Sequence, residues 1–237
     1  MPTSGSASYA GGATGYVAQP VSVNPTNVAE FYGSSSLTAN FATGAVTGSI
    51  TGINAYSVGN GSGQTLLGTI NNIGLSATIS GAEYSGTANV TGSAGTAFNI
   101  TGATGAVKGA FYGPNADETA GVLYLSGGSN NTSLFGSFGA KKVAPSDRRL
   151  KEDIVPAGVL PNGVKLYSWR YLGGSHRFTG VMAQDLLADK RFAIAVEMGA
   201  DGLMRVDYSR LGFLPADFDA MCAEGEAAIS SFRQTYH

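Results

Sequence analysis

The sequence predicts two domains: an all-β N-terminal domain, an antiparallel barrel of about eight strands, and a small α+β C-terminal domain that ends in a helix. Residues 1–140 hold only one of the 14 basic and four of the 16 acidic residues, but 26 of the 35 glycines. That part alternates apolar and polar residues with a period of two, whereas the segment 217–236 has a helical period. We therefore predict a Gly-rich β-barrel domain over 1–140 and a second domain over 141–237.

Short runs of β-branched, aromatic and small residues make up the first part, separated by Gly, Asn and Ser turn signals. The apolar members of each alternating run are predicted to share one face: Leu37, Ala39 and Phe41; Ile73, Leu75, Ala77 and Ile79; Tyr84, Ala88 and Val90. Because so few charges protect the strand edges, closure into a barrel is favoured. A β-solenoid is the alternative, although no fixed repeat period is present.

Composition excludes several classes of protein. The formal net charge of -2 gives no basic surface for nucleic acid. The single cysteine, Cys222, cannot form a disulfide within the chain. Because the only histidines are His176 and His237, a structural metal site is improbable. No phosphate-binding loop or metalloprotease motif occurs, and no cofactor is expected. No apolar run reaches the roughly 18 residues that span a bilayer, so no membrane insertion is predicted.

One segment of the first part has a distinctive pattern. A strand is predicted to end at Phe111-Tyr112, to turn at Gly113-Pro114 and to resume at Gly121. The stretch 105–122 resembles the G-x-FYGP-x-A-x-E-x-GG segment in the β-barrels of transferrin-binding protein B and related surface lipoproteins, with Ala120 in place of one glycine. The resemblance implies the barrel fold. The loops by which that family binds iron carriers have no match here, so no ligand follows from it.

Three motifs occur in order in the C-terminal part: SDRRLKEDI at 146–154, GVMAQDL at 180–186 and DGLMRVDYSRL at 201–211. They resemble the S-D-x-R-L-K-x-D/N-I, G-x-x-A-Q-E/D and D-G-x-x-x-V-x-Y-x-x-L blocks of the S74-type intramolecular chaperone domain. That domain ends many phage tail fibres and spikes. The resemblance implies a homotrimer whose terminal domain helps a β-rich fibre to fold and then often removes itself.

In that family a serine and a lysine five residues later carry out the cut. The resemblance maps the nucleophile to Ser146, the general base to Lys151 and the scissile bond to Pro145–Ser146. The serine hydroxyl would attack the Pro145 carbonyl, and water would resolve the ester. At most this is a single-turnover autoprotease.

Two features bear on whether the cut occurs. Lys151 needs a depressed pKa, which Arg148 and Arg149 would favour and Asp147 and Glu152 would oppose. A Ser-Asp pair is also a common helix N-cap, and a proline before the serine restricts the carbonyl. The sequence therefore leaves self-cleavage open.

The remaining C-terminal patterns indicate structure. Val164, Leu166 and the stretch 167–171 predict a strand with Trp169 in the core, and His176 is assigned to a loop. Along the predicted helix 217–236, six residues recur every three or four positions: Phe218, Cys222, Gly225, Ile229, Phe232 and Tyr236. This stripe fits either a coiled-coil seam or packing onto its own domain, with Cys222 as a buried small apolar residue.

Two functions follow from these patterns. The main prediction is a phage tail fibre or spike component in the virion, forming a homotrimer and contacting other virion tail proteins and a host surface receptor, protein or glycan. The alternative is a bacterial outer-surface adhesion or solute-binding protein of the transferrin-binding-like barrel class, located at the cell surface. A sugar-cleaving barrel is disfavoured because residues 1–140 hold only four acids.

Overall fold

The computed structural model describes residues 1–20, 27–58, 63–128, 130–199 and 201–236, with side chains up to residue 232 in the last range. The chain forms two compact units. Unit 1 comprises Met1–Thr3 and Tyr9–Lys141, and unit 2 comprises Ser4–Ser8 and the residues from Lys142 onward.

Unit 1 is a closed barrel of eight strands. The strands are β1 (Ser6–Gln19), β2 (Asn27–Asn40), β3 (Ala45–Ser57), β4 (Leu66–Thr69), β5 (Asn72–Ser80), β6 (Glu83–Thr91), β7 (Ala103–Tyr112), β8 (Glu118–Gly127) and β9 (Thr132–Pro145). Adjacent strands follow the order β1, β2, β3, β5, β6, β7, β8, β9, and pairing of β1 with β9 closes the ring, while the short β4 pairs with β3. The predicted all-β barrel is confirmed, and the solenoid alternative is wrong.

The alternating residues point inward as predicted. Leu37, Ile73 and Tyr84 are at most 2% exposed, and they lie on three different strands. Aromatic rings fill the interior around Phe111, whose centroid lies 5.1 Å from that of Tyr84 and 5.6 Å from that of Tyr9. An eight-stranded barrel has an interior just wide enough for side chains or one small ligand, and around Phe111 aromatic side chains fill it.

The turn after Phe111-Tyr112 is also confirmed. Strand β7 ends at Tyr112 and β8 begins at Glu118, three residues before the predicted Gly121. The two strands pair in register from Tyr112 opposite Glu118 to Ala103 opposite Gly127. The whole Gly-Pro segment therefore serves as the loop of a β-hairpin.

Unit 2 combines a small sheet with helices. Its elements are β10 (Lys151–Val159), β11 (Lys165–Tyr171), β12 (Arg177–Gly180), α1 (Ala183–Leu187), β13 (Val196–Met198), β14 (Met204–Val206) and α2 (Phe218–Tyr236), with 3-10 turns at Arg148–Leu150, Ala193–Ala195 and Tyr208–Leu211. Strands β10, β11 and β12 form a three-stranded antiparallel sheet, β13 pairs with β14, and β14 pairs with the end of β9 through Arg205 opposite Pro145.

Helix α2 packs onto its own unit rather than presenting a free seam. Cys222, Gly225 and Ile229 of the predicted stripe are buried, and Cys222 and Ile229 join a core that contains Trp169. The strand around Trp169, the burial of Cys222 and the exposed loop position of His176 are confirmed. The side chain of Tyr236 lies outside the described residues. In the described part of the chain, no helix is both long and apolar enough to cross a membrane.

Buried ionic groups tie the ends of the sequence into unit 2. Arg205 pairs bidentately with Asp201 at 3.0 Å and also contacts Glu226 of α2 at 3.4 Å. The hydroxyl of Ser8 donates to the same Glu226 carboxylate at 2.8 Å. Because a buried carboxylate is stable only when its oxygens are satisfied, the N-terminal segment helps to hold α2 in place.

Candidate functional site

Ser146 follows β9 directly, and hydrogen bonds to both its backbone N–H and its carbonyl fix its position. Its N–H donates to the Met204 carbonyl at 3.0 Å, and its own carbonyl accepts from the Ala183 N–H at 2.9 Å. The side chain is fully buried. Within the described part of the chain, the Ser146 Oγ atom has no hydrogen-bond partner. A buried hydroxyl without a partner costs free energy, so Ser146 Oγ is a candidate for a chemical role.

Lys151 begins β10 and points its amine into the core. The Nζ atom donates to the Val181 carbonyl at 2.9 Å and lies 3.6 Å from the centroid of the Trp169 ring. Burial lowers the pKa of Lys151 well below its usual value; the Asp147 carboxylate opposes the shift, and Arg148 adds to it. Burial therefore favours the uncharged amine, the form that accepts a proton. The sequence anticipated the directions for Asp147 and Arg148, but the main cause is burial.

The Pro145 carbonyl, immediately before Ser146 in the chain, accepts a hydrogen bond from the Tyr171 hydroxyl at the end of β11. Tyr171 is only 1% exposed, and burial raises the pKa of its phenol well above 10, so the proton stays available for donation. The ring of Pro145 packs against Gly225 of α2. A Cβ atom at position 225 would lie 2.8 Å from Pro145 Cγ, so only glycine allows this approach.

Tyr208 lies near Ser146 and is linked through Val181 to Lys151. Its Oη atom accepts from the Val181 N–H at 3.3 Å, and the Val181 carbonyl in turn accepts from Lys151. Burial raises the pKa of Tyr208 to about 12, opposed by the Val181 N–H and by the nearby Ser146 hydroxyl. That hydroxyl lies beside Oη without meeting hydrogen-bond geometry. Ser146 and Lys151 thus share one buried environment.

Asp147 shapes the turn between the two residues. Its buried carboxylate accepts from the Arg149 N–H, the Arg149 guanidinium, the Gln184 amide and the Met204 N–H, all at 2.8–3.1 Å. Burial alone would raise the pKa of Asp147, but these hydrogen bonds outweigh it and lower the pKa to about 2. The predicted N-cap is therefore Asp147, and it caps a single 3-10 turn, Arg148–Leu150, rather than an α-helix.

Together these groups suit acyl transfer at Pro145. A hydroxyl without a partner lies next to a carbonyl that accepts from a phenol, and a buried amine shares the environment. A nucleophile, a base and a donor on the carbonyl oxygen are the parts that such chemistry needs. Among the described residues, no three His, Cys, Asp or Glu side chains are grouped to hold a metal ion.

Tyr171 and Tyr208 were not among the residues predicted for this site. Trp169 and Tyr171 are two apart on one strand, and Trp169 was predicted to be buried, so Tyr171 follows on the same face. That alternation identifies the residue as buried, but only the folded chain brings its hydroxyl to Pro145.

Comparison with known families concerns the barrel. The family described as the C-lobe and N-lobe β-barrels of Tf-binding protein B matches residues 1–142, more than half of the chain. The chain belongs to this family. Together with the closed ring of eight strands, this match confirms the resemblance that the segment 105–122 predicted. No protein among the curated ones matches the chain.

Solved structures of transferrin-binding protein B are similar to this chain over part of its length. A variant from Haemophilus parasuis Hp5 shares 21% identity, covering 60% of this chain and 27% of that protein, with a TM-score of 0.42. The isotype 1 protein from serogroup B Neisseria meningitidis shares 22%, covering 60% and 26%, with a TM-score of 0.40. A variant from Actinobacillus pleuropneumoniae H49 shares 20%, covering 60% and 63%, with a TM-score of 0.37. The chain thus spans about a quarter of the first relative.

The predicted virion appendage is wrong. The family whose model matches residues 1–142 is that of the transferrin-binding protein B barrels, not a family of tail fibres or spikes. The barrel also closes within one chain through β1 and β9, so its strand edges need no partner chains. The alternative, a bacterial surface protein of this barrel class, fits better. The family match ends at residue 142 and leaves the S74 resemblance of the later residues without a counterpart.

Proposed function

We propose that the chain is a bacterial outer-surface protein that captures a host molecule with its barrel. The observation that carries the proposal is the match of residues 1–142 to the transferrin-binding protein B barrels. A packed barrel interior supports capture of a macromolecule from outside rather than enclosure of a small solute. Because one fold serves many ligands, the partner has to be found by measurement.

Two measurements test this proposal. Antibodies against the chain should label intact cells of the source bacterium; labelling only after permeabilisation would overturn surface display. Immobilised full-length chain should bind transferrin saturably in biolayer interferometry, whereas serum albumin at the same concentration should not. Equal responses to both proteins would exclude transferrin as the ligand and leave the surface location to be judged by the antibodies alone.

We further propose that residues 141–237 form an S74-like chaperone and trimerisation domain. The three ordered motifs support it, and so do exposed apolar side chains of unit 2, including Val159 and Ile194 at 67% and Leu214 at 64%. Such residues are commonly covered in an oligomer. Light scattering of the full chain should give three times the mass of one chain, and a monomer at micromolar concentration would contradict the assignment.

A second candidate activity is one self-cleavage at Pro145–Ser146. Its support is the unpartnered Ser146 hydroxyl beside a carbonyl that accepts from Tyr171, with the buried Lys151 amine in the same environment. Ser146 Oγ would bond to the Pro145 carbonyl carbon, and the proton would pass to Lys151 Nζ and then to the departing Ser146 nitrogen. Water would then hydrolyse the ester, leaving a Pro145 carboxylate and the Ser146 hydroxyl.

A comparison of wild type with Ser146→Ala tests the cut. The wild-type chain should give a fragment that ends at Pro145, seen by intact mass, and the variant should stay full-length. Because the hydroxyl makes no hydrogen bond, its removal should leave stability unchanged or raise it by up to about 1 kcal/mol. Identical masses for the two proteins would refute self-cleavage.

A further inference from the structure

A cluster of tyrosines surrounds one carboxylate on the outer face of the barrel. Glu30 and Tyr32 lie two apart on β2, and Tyr56 of β3 is the register partner of Glu30. The Tyr16 hydroxyl of β1 donates to Glu30 at 3.0 Å, and the Tyr32 hydroxyl donates to its other oxygen at 3.3 Å. The Gln64 amide donates to that second oxygen as well. We name Tyr16, Glu30, Tyr32 and Tyr56 the tyrosine cluster.

The rings of this cluster face solvent. Tyr16 is 51% exposed and Tyr32 is 44% exposed, while Glu30 and Tyr56 are half-buried. The rings of Tyr32 and Tyr56 meet edge to face at 5.6 Å. The hydrogen bond to Glu30 raises the pKa of Tyr16, so its hydroxyl remains a donor at neutral pH. The cluster is therefore an ordered polar and aromatic surface with a negative charge at its centre.

This carboxylate differs from the other glutamates of the barrel. Glu83 pairs with Lys108 at 3.2 Å and Glu118 pairs with Lys141 at 3.6 Å. These are the only two lysines in the sequence of unit 1, which has no arginine. The described partners of Glu30 are neutral hydroxyl and amide groups, so no lysine or arginine of this unit neutralises its charge.

An apolar rim borders the tyrosine cluster. Val28 lies two residues before Glu30 on β2, Val58 follows Tyr56 by two, and Leu66 of β4 is the register partner of Tyr56. Val28 is 45%, Val58 46% and Leu66 57% exposed. A surface with an anionic centre, aromatic walls and an apolar rim matches the three parts of a long basic side chain: a cation, its hydrogen-bond donors and an aliphatic stem.

We infer that the tyrosine cluster binds a basic side chain, lysine or arginine, presented by a protein partner. Glu30 would form a charge-assisted hydrogen bond with the cation, Tyr32 and Tyr56 would provide cation–π contacts, and the rim would cover the stem. Tyrosine and arginine are also the residues that most often dominate protein interfaces. The inference rests on the proposed capture of a host protein and specifies where the barrel would engage it.

The test uses short peptides and the full chain with 13C-labelled tyrosine rings. The probes are Ac-Gly-Lys-Gly-NH2, Ac-Gly-Arg-Gly-NH2 and, as a neutral control of similar shape, Ac-Gly-norleucine-Gly-NH2. The two basic peptides should shift the ring signals of Tyr16, Tyr32 and Tyr56 saturably with a Kd of about 1 mM. The norleucine peptide should bind about tenfold more weakly, and added salt should weaken only the basic peptides.

A matched pair of variants decides the role of Glu30. Glu30→Gln should abolish the shifts caused by the basic peptides, whereas Glu83→Gln, which alters an exposed acid already paired with a lysine, should leave them unchanged. Equal binding of the norleucine peptide, or unchanged binding by Glu30→Gln, would overturn the inference. Saturable shifts with choline but not with the basic peptides would also overturn it, since the site would then select a quaternary ammonium.

Failure of this inference can be told from failure of the proposed function. The peptide titration needs neither cells nor transferrin, so it reports on the tyrosine cluster alone. If transferrin binds equally to wild type and Glu30→Gln, surface capture stands and the tyrosine cluster is not its site. If the basic peptides bind but antibodies label only permeabilised cells, the site stands and surface display fails.

Discussion

The Tyr171 hydroxyl donates a hydrogen bond to the carbonyl oxygen of Pro145. In the proposed self-cleavage this oxygen gains negative charge when Ser146 attacks, so the phenol would stabilise the transition state more than the ground state. Because burial raises the pKa of Tyr171 well above 10, the donor keeps its proton over the whole working range of pH.

Replacing Tyr171 with phenylalanine should therefore slow cleavage without unfolding the chain. We expect the rate to fall by about 10² to 10³, the usual loss for one donor to such an oxygen. A time course of intact mass measures it, and the circular dichroism of Tyr171→Phe should match that of wild type. A cleavage rate equal to that of wild type would show that the phenol has no part in the reaction.

Lys151→Met should abolish cleavage and keep the fold, because methionine fills the space of the stem without a charge to bury. In the wild-type chain the rate should rise with pH as the amine loses its proton, with a midpoint well below 10.5. A cleavage rate that does not change with pH below 10.5, or cleavage by Lys151→Met, would exclude the amine as the base.

The same lysine should also make stability depend on pH. Its pKa is lower in the folded chain, so the unfolded chain binds the extra proton, and the free energy of unfolding rises with pH between the folded and unfolded pKa values. Lys151→Met should remove this rise. Unfolding followed by the fluorescence of Trp169, the one tryptophan, measures the difference.

Asp147 should make unit 2 sensitive to acid. Its pKa is about 2 in the folded chain and about 3.8 when unfolded, so the stability it contributes is complete above 3.8 and is lost as pH falls toward 2. The loss is about 2 kcal/mol. Asp147→Asn should lower stability at pH 7 and flatten this part of the profile. Urea melts at pH 7 and pH 3 compare the two proteins, and parallel profiles would contradict the role of the carboxylate.

Gly225→Ala should destabilise the chain although alanine is the better helix former by about 1 kcal/mol. The added Cβ would lie within 3.0 Å of three atoms of the Pro145 ring, so α2 or the proline must shift. We expect a net loss of about 1 to 3 kcal/mol. The control is Ala227→Ser, at an exposed position of the same helix. A higher melting temperature for Gly225→Ala would show that α2 and the Pro145 ring move apart at little cost in stability.

Much of the fold was predictable from the sequence because it depends on local alternation. The inward positions of Leu37, Ile73 and Tyr84 follow from period two, and the end of β7 at Tyr112 follows from the Gly-Pro turn. The helical period predicts that the last helix starts at residue 217, one residue before its observed start at Phe218. Each of these features is set by residues close together in the chain.

The site was only partly predictable because its remaining contacts are long-range. Ser146 and Lys151 came from a motif, but the partnership of Tyr171 with Pro145 joins residues 26 positions apart, and that of Ser8 with Glu226 joins residues 218 apart. That Glu30 has no lysine partner among the described residues could not be predicted either, because ion pairing in the barrel depends on strand register. Composition shows that lysine is scarce in the barrel, but only strand register shows which acids the two lysines reach.

The contact between Ser8 and Glu226 has a consequence for what a severed chain would do. Ser4–Ser8 and residues 142–145 would stay with the upstream fragment, yet they are built into the same unit as the downstream one. The upstream and downstream fragments would therefore remain associated through non-covalent contacts. A native gel would then show a single species where a denaturing gel shows two, and release of the terminal piece would require unfolding rather than hydrolysis alone.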